Sequence, residues 1–216
     1  MTPRQLRDLL QGPVDEAAPG LLGCHVSHGG VTVRVTEVEA YSGEGLDPAS
    51  HAHKGPTARN ASQFGPPGHA YVYFIYGMHY CLNVVCYPEG IGGGVLLRAG
   101  AVVDGLDTAR DRRGPMRDHD LARGPARLTM TLDVDRRHDG TPLLGGGPID
   151  LTPGTQPVGE IRSGPRVGVS SAADVPWRFW IADDPSVSPY RRHVPKKRTG
   201  KNRSRATGAD TSQLPT

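Results

Sequence analysis

The sequence predicts an α+β fold built as a single domain, and three observations lead to this expectation. Residues 31–41 and 95–103 are rich in Val and Leu and have the apolar patterns of strands. Residues 2–10 and 125–132 place apolar side chains at helical spacing, each with a proline in the predicted first turn. The chain shows no internal repeat and no clear linker before residue 191. We therefore expect one domain that combines a sheet with helices.

The predicted elements are joined by short turns except at one long loop. The first helix has Thr2 as its cap, Pro3 in its first turn and Gln5 closing a capping box. Residues 42–69 form a polar loop rich in Gly and Pro, and a loop of this length within a domain is usually functional. The other expected elements are helices over Asp15–Ala18 and Leu106–Arg113, a hairpin of His69–Tyr76 and His79–Tyr87, and strands over Cys24–Ser27, Ile149–Leu151, Arg166–Ser170 and Arg178–Ile181.

Length and composition are those of a soluble globular protein. The chain has 216 residues, of which 36% are hydrophobic and 22% are charged. Its first residues lack an apolar signal segment, and no apolar run approaches the roughly 20 residues of a membrane span. The three cysteines form an odd set, which argues for reduced thiols and against a disulfide framework. We therefore expect a cytoplasmic protein that makes no membrane contact.

Charge is distributed unevenly along the chain. The net charge is +3, but residues 196–216 carry six Lys or Arg and one Asp, a net +5, which leaves −2 for residues 1–195. A basic tail can bind phosphates without reading their sequence, and it can equally be a solvated end. We expect a domain over residues 1–195 and a basic, disordered tail over 196–216. Net charge alone does not establish a nucleic-acid partner.

The strand over residues 31–41 carries two acids in an apolar setting. Because side chains alternate along a strand, Glu37, Glu39 and Tyr41 are expected on the face that also holds Val35. A buried carboxylate is costly unless it is paired, and a catalytic base in a cleft needs such an environment. The alternative is that the strand leaves the core at Glu37 and both acids are solvated.

Arg98 interrupts the apolar strand over residues 95–103. A buried guanidinium needs an anion, and Glu37 or Glu39 is a natural partner. A reacting water could lie between the arginine and a glutamate. The alternative is a structural ion pair with no part in catalysis.

The predicted hairpin is rich in aromatic residues, with six of the ten Tyr and Phe of the chain. Bulky residues occupy its turn, at Tyr76 and Met78, where polar residues are usual. An exposed aromatic at a rigid tip suits insertion into a stack of bases. A protein-interaction hairpin or an extension of the core would explain the same pattern.

Two groups of residues could be taken for metal ligands: His51 with His53, and His79 with Cys81 and Cys86. Neither has the paired spacing of a structural zinc site. The chain also lacks a phosphate-binding loop, a dinucleotide fingerprint and a nucleophile elbow. We therefore expect no metal and no other cofactor. A metal-dependent hydrolase that uses the two loop histidines and a carboxylate is a rival hypothesis, which a chelator would test.

At these positions the chain resembles the alkyladenine (3-methyladenine) DNA glycosylase family. The resemblance extends with weaker likeness over nearly all of residues 1–190 and leaves out the tail. Within it, Ala58 and His79 depart from the family's usual proline and from an aromatic found in some members. The segments that carry it are Thr36–Tyr41, Asp47–His51, Arg59–Asn60, Pro67–Met78, Cys81–Asn83 and Val95–Ala99.

The resemblance implies both a fold and a set of site residues. The fold would be a curved, mostly antiparallel sheet flanked by helices, with a protruding hairpin that enters DNA. Glu39 would be the general base, Arg98 would help to hold the attacking water, and the carbonyl of Val167 would complete the water's site. The remaining roles it implies are a base pocket formed by Tyr41, His51, Tyr73 and Asn83, and intercalation into DNA by Tyr76 and Met78.

The activity that the resemblance implies is that of a base-excision-repair DNA glycosylase. It would act as a monomer on double-stranded DNA containing damaged purines such as 3-methyladenine, at the nucleoid if the source is bacterial. A purine alkylated at N3 or N7 is already a good leaving group, so a positioned water, a carboxylate and a stacking pocket suffice. No lysine stands at the pocket positions, so strand cleavage is not expected. The rival hypothesis is a non-catalytic module that binds damaged DNA or other nucleic acid through an aromatic hairpin.

Overall fold

The fold is organised around one curled antiparallel sheet. The computed structural model describes residues 1–75 and 77–194, so Tyr76 and the predicted tail lie outside the described residues. The helices found in the described residues are α1 (Pro3–Leu10), α2 (Val14–Gly20), α3 (Leu106–Arg113) and α4 (Pro125–Leu132). The strands found there are β1 (His25–His28), β2 (Val31–Tyr41), β3 (Ala70–Ile75), β4 (His79–Val85), β5 (Gly94–Asp104), β6 (Ala122–Arg123), β7 (Asp150–Thr152), β8 (Ile161–Gly164) and β9 (Arg178–Ile181).

The main path of the sheet runs β3-β4-β5-β2-β1-β7. Strand β6 is added beside β5, and β9 pairs with both β2 and β8. All of these pairings are antiparallel. The predicted α+β class is therefore confirmed, and so is the hairpin of β3 and β4. No helix among the described residues is long and apolar enough to cross a membrane.

The predicted start of the first helix is confirmed. The Gln5 backbone N–H donates to the Thr2 hydroxyl at 3.2 Å, and the Thr2 N–H donates to the Gln5 side-chain oxygen at 2.7 Å. Both bonds satisfy groups that a helix end would leave free. Leu6 and Leu10 then bury one face of α1 in the core, which the sheet shares with α2 and α4.

Along strand β2, the set of alternate residues that faces the core changes partway along the strand. Val35 and Glu37 pair with adjacent residues of β5, which makes Thr36 the extra residue of a β-bulge. Valines before the bulge lie in the core, and beyond the bulge the core face resumes at Val38. The expectation that Glu37 and Glu39 continue the valine stripe is therefore wrong, because the bulge moves both acids to the opposite face.

A second bulge lies within strand β5, next to the first. Glu37 pairs with Ala99 while Val38 pairs with Leu97, so Arg98 has no directly opposite residue in β2. Bulges of this kind redirect a side chain and often lie beside functional sites. Here the residue without an opposite partner is the arginine that interrupts an apolar strand.

Residues 166–170 do not form the predicted strand. The backbone N–H of Val167 donates to the Glu39 side chain instead of a neighbouring strand, and Gly168 has a φ of +72°. This left-handed conformation suits glycine and does not occur in a regular strand. Strand β8, which the sequence pattern did not predict, pairs with β9 in its place.

Candidate active site

A cavity of about 430 Å³ opens on the face of the sheet opposite the core. Four neighbouring strands contribute alternate side chains to it, and the side chains between them pack in the core, except for the exposed Phe74 near the hairpin tip. This division follows from the two-residue period of a strand. The strand residues that line the cavity are Glu39 and Tyr41 from β2, Tyr71, Tyr73 and Ile75 from β3, Cys81 and Asn83 from β4, and Leu96 and Arg98 from β5.

Loops close the cavity on its other sides. The long loop of residues 42–69 contributes Pro48, His51 and Gln63 among others, so this loop does help to form the site. Residues 167–171 form a second wall. The cavity is therefore built from segments that are far apart in the chain.

Glu39 lines the cavity and is fully buried. One carboxylate oxygen accepts the Val167 N–H at 2.7 Å, and the other accepts the Tyr41 hydroxyl at 2.9 Å. Burial and the adjacent carboxylate raise the pKa of Tyr41 well above its usual value, so its hydroxyl remains a donor. The Glu39 carboxylate is thereby held in one orientation as a hydrogen-bond acceptor.

Arg98 lies between the two acids of β2. Its Nη1 is 3.6 Å from Glu39 Oε2, and its Nε is 3.0 Å from Glu37 Oε1. Desolvation by burial opposes the charged form of Arg98, but the two carboxylates outweigh it and raise its pKa. Arg98 therefore carries a positive charge next to Glu39, and its partially exposed guanidinium lines the cavity.

Glu37 is also fully buried, but its oxygens are committed to the protein. It accepts from Arg178 at 2.6 Å and from the N–H and hydroxyl of Ser188 at 2.7 and 3.0 Å, besides its contact with Arg98. It does not line the cavity. Glu37 is therefore held by structural contacts, and of the two acids only Glu39 lines the cavity.

A buried ion pair fixes the second wall of the cavity. Arg166 is 1% exposed and donates to both oxygens of Asp47 at 2.6 and 2.9 Å, and to the Ala40 carbonyl at 2.9 Å. Its guanidinium lies 4.7 Å from the Tyr41 ring centroid and 5.4 Å from that of Trp177. The pair joins the long loop to the segment that carries Val167.

Aromatic side chains form the walls of the cavity. The Tyr71 and Tyr73 rings have centroids 5.3 Å apart, and the ring of His51 meets Tyr73 edge-on at 4.6 Å. Burial, followed by the charge of Arg59, lowers the pKa of His51, so its ring is neutral at pH 7. Its Nδ1 lies 2.9 Å from the Tyr71 hydroxyl. A flat aromatic ligand would match these walls.

Asn83 presents an amide to the same cavity. Its Nδ2 donates to the backbone carbonyl of Tyr71 at 2.9 Å, across the β3–β4 pair. Because Asn83 is only 4% exposed, its orientation is fixed by the sheet. A fixed polar group among aromatic walls can select a ligand by size and hydrogen bonding.

The tip of the hairpin projects an apolar side chain into solvent. Gly77 has a φ of +68°, which permits the tight turn, and the side chain of Met78 is 69% exposed. Phe74 is also exposed and packs on Tyr80, with ring centroids 5.0 Å apart. The described part of the tip therefore presents an apolar surface to solvent.

Seven residues expected at the site from the sequence line one cavity, namely Glu39, Tyr41, His51, Tyr73, Asn83, Arg98 and Val167. Sequence reasoning missed Gln63, Asp47 and Arg166. The partners in the Asp47–Arg166 pair are 119 positions apart, and no local pattern marks such a contact. Tyr71 could have been predicted as a lining residue, because it lies two positions before Tyr73 and therefore shares its face of the strand.

Comparisons with known proteins define the class to which this fold and site belong. Relatives named "Putative 3-methyladenine DNA glycosylase" occur in Streptomyces avermitilis, with 53% identity over 89% of this chain and 94% of the relative, and in Leifsonia xyli, with 50% identity over 87% and 92%. A third, from Corynebacterium efficiens, shares 50% identity over 88% of this chain and 98% of its own. The class is that of the DNA glycosylases of base-excision repair, whose substrate is DNA.

A family model described as methylpurine-DNA glycosylase matches residues 8–185. The match covers the whole sheet and every residue of the cavity described above. The chain therefore belongs to the methylpurine-DNA glycosylase family.

Proposed function

We propose that this chain flips alkylated or deaminated purines, such as 3-methyladenine, out of duplex DNA and hydrolyses their N-glycosidic bond. The observation that carries the proposal is the fully buried Glu39 carboxylate, held beside Arg98 in the lining of an aromatic cavity. The rings of Tyr41, Tyr71 and Tyr73 provide stacking surfaces for a planar base. The family and the curated relatives support the same chemistry.

In the proposed reaction, Glu39 is the general base for the attacking water. The water oxygen bonds to C1′ of the sugar, the bond from C1′ to the purine breaks with its electron pair going to the base, and the water proton goes to Glu39. Arg98 and the carbonyl of Val167 help to hold the water. A 3-methylated adenine carries a positive charge before cleavage, so it departs as a neutral molecule. A deaminated purine such as hypoxanthine is neutral before cleavage, so it departs as an anion that takes up a proton from solvent water. Neither step needs a metal or an organic cofactor.

The proposed roles of the remaining site residues follow from their positions. His51 and Asn83 read the flipped base within the pocket formed with Tyr41 and Tyr73. Tyr76 and Met78 intercalate into the duplex and fill the gap that the base leaves. Among the described residues, the cavity lining includes no lysine that could form a Schiff base. The enzyme is therefore proposed as a monofunctional glycosylase. We also propose that it acts as a monomer.

The test is base release from a methylated duplex in the presence of EDTA. We expect free methylated purine and an intact strand that breaks only on later alkali treatment, because the product is an abasic site. Binding without release would favour the non-catalytic module, and loss of release with EDTA would favour the metal-dependent hydrolase. Strand breakage without alkali would contradict a monofunctional mechanism.

A further inference from the structure

Gln63 lines the cavity but has no part in the mechanism proposed above. It lies in the 3-10 turn Ala61–Phe64 and is only 3% exposed. Its backbone carbonyl accepts the Gly93 N–H at 3.3 Å, which holds the turn against the segment that precedes β5. Its amide head is thus carried on a fixed backbone at the edge of the base pocket.

The amide head of Gln63 is only half satisfied. Its Nε2 lies 3.4 Å from the Ser50 hydroxyl, at the outer limit of a hydrogen bond. Its Oε1 is buried and has no hydrogen-bond partner among the described residues. Exchanging the oxygen and nitrogen of the amide would leave the other atom without a partner, so one polar atom is unpaired in either orientation.

A buried amide atom without a partner is unfavourable and calls for a ligand or another function. We propose that Gln63 is a specificity-determining residue whose Oε1 accepts a hydrogen bond from the six-membered ring edge of the flipped purine. This inference rests on the proposed function, because it requires a purine in the cavity. In the described orientation the Gln63 nitrogen donates to Ser50, so the oxygen is the atom left to accept; the opposite orientation would leave the nitrogen to donate and would favour purines with an acceptor on that edge.

An acceptor at Gln63 would distinguish damaged purines by the hydrogen-bond donors on their six-membered ring edge. 3-Methyladenine presents its exocyclic amino group, and hypoxanthine presents N1–H. In 1,N6-ethenoadenine both nitrogens belong to an additional ring, so this edge offers only acceptors. Gln63 therefore favours purines that keep an N–H donor on the six-membered ring.

The test compares hypoxanthine with 1,N6-ethenoadenine, two neutral bases, in the same duplex sequence. Gln63→Met removes the amide but keeps an unbranched side chain of similar length. We expect the affinity for the hypoxanthine duplex to fall about 10-fold, the size of one hydrogen bond. Affinity for the ethenoadenine duplex should stay within about 2-fold. Single-turnover base release should show the same selectivity.

Two further variants separate recognition from damage to the turn. Gln63→Glu keeps an oxygen acceptor at this position and should retain the preference for hypoxanthine. Ser62→Ala removes a hydroxyl of the same turn that donates to Asp139 at 2.7 Å, outside the cavity lining. It should affect both duplexes equally if it affects either.

Each outcome decides the proposal. Equal losses on both duplexes with Gln63→Met would show that Gln63 is structural, and no change on either would show that the base does not reach it. A loss confined to the ethenoadenine duplex would show that the amide presents its nitrogen and would overturn the proposed acceptor role. If the wild-type chain binds both lesions but releases no base, the proposed hydrolysis fails while the affinity ratio still tests Gln63. If it binds neither lesion more tightly than undamaged duplex, both proposals fail.

Discussion

At the scale of single residues, two glutamates of one strand have different environments. Glu37 and Glu39 are both fully buried, yet Glu37 is saturated by arginine and serine donors, whereas Glu39 faces the cavity. Sequence alternation identified both acids and Arg98 but could not assign their roles. The assignment depends on Arg178 and Ser188, which are more than a hundred positions away.

His51 should make the stability of the fold sensitive to acid. Burial lowers its pKa from 6.5 in the folded chain. The folded state therefore binds fewer protons than the unfolded state, and the stability contributed above pH 6.5 is lost as the pH falls towards the lowered value. We expect the free energy of unfolding of His51→Gln, measured with urea, to fall less than that of the parent between about pH 7.5 and about pH 5.

The exposed His193 provides the control for this measurement, since His193→Gln should leave the pH dependence of the parent unchanged. If the free energy of unfolding fell equally with pH in the parent and in His51→Gln, the environment described for His51 would be contradicted.

At the scale of elements, the helices and most strands could be predicted because their apolar spacing and caps are local. The two bulges could not be predicted from alternation, since a bulge depends on how β2 pairs with β5. The first bulge reversed the expected faces beyond Val35, and the second leaves Arg98, which contacts both glutamates, without an opposite residue in β2. Residues 166–170 do not form the predicted strand for a similar, non-local reason: the backbone N–H of Val167 donates to Glu39 and not to a neighbouring strand.

The Asp47–Arg166 pair should be strongly coupled in a double-mutant cycle. Asp47→Asn leaves the guanidinium of Arg166 buried without its anion, at a cost of about 3–5 kcal/mol in the free energy of unfolding. Once Arg166→Met is present, the same change at Asp47 should cost much less. Urea unfolding of the four proteins measures the coupling. Additive losses would show that the two side chains do not act as a pair.

The hairpin tip should matter for duplex DNA more than for a single strand. Filling the gap left by a flipped base with Tyr76 should contribute on the order of 1–3 kcal/mol by stacking. We expect Tyr76→Ala, and to a smaller degree Met78→Ala, to weaken binding to a lesion in duplex more than to the same lesion in a single strand. Fluorescence anisotropy with both substrates measures this difference.

Met130 is a matched control for the tip, because it is an exposed methionine on α4 and not on the hairpin. Met130→Ala should leave both affinities unchanged. Equal losses on duplex and single strand for Tyr76→Ala would place that residue in the base pocket and not between the bases.

At the scale of the whole molecule, charge and catalysis should be separable. Residues 196–216 carry a net +5 and lie outside the described residues, whereas the rest of the chain sums to −2. Several basic side chains of the body are already engaged, since Arg110 pairs with Asp107 and Asp118, and Arg112 donates to two backbone carbonyls. We therefore expect the tail to contribute more to non-specific phosphate binding than these arginines of the body.

Deletion of residues 196–216 should weaken non-specific binding to undamaged duplex and flatten its salt dependence. For each DNA phosphate that the tail neutralises, its removal should reduce the slope of log affinity against log salt by roughly 0.9. Single-turnover base release at saturating enzyme should remain nearly unchanged. An unaltered slope would show that the tail does not bind DNA, and a collapse of the single-turnover rate would place the tail in the catalytic fold.

The proposed hydrolysis depends on Glu39 as the base that activates water. The most direct measurement is the single-turnover rate of 3-methyladenine release by the parent and by Glu39→Gln, together with the affinity of each for the damaged duplex. We expect the variant to release base at less than about a hundredth of the parent rate while its affinity is retained. A rate above that limit would remove Glu39 as the general base, and a parallel loss of affinity would make its role structural.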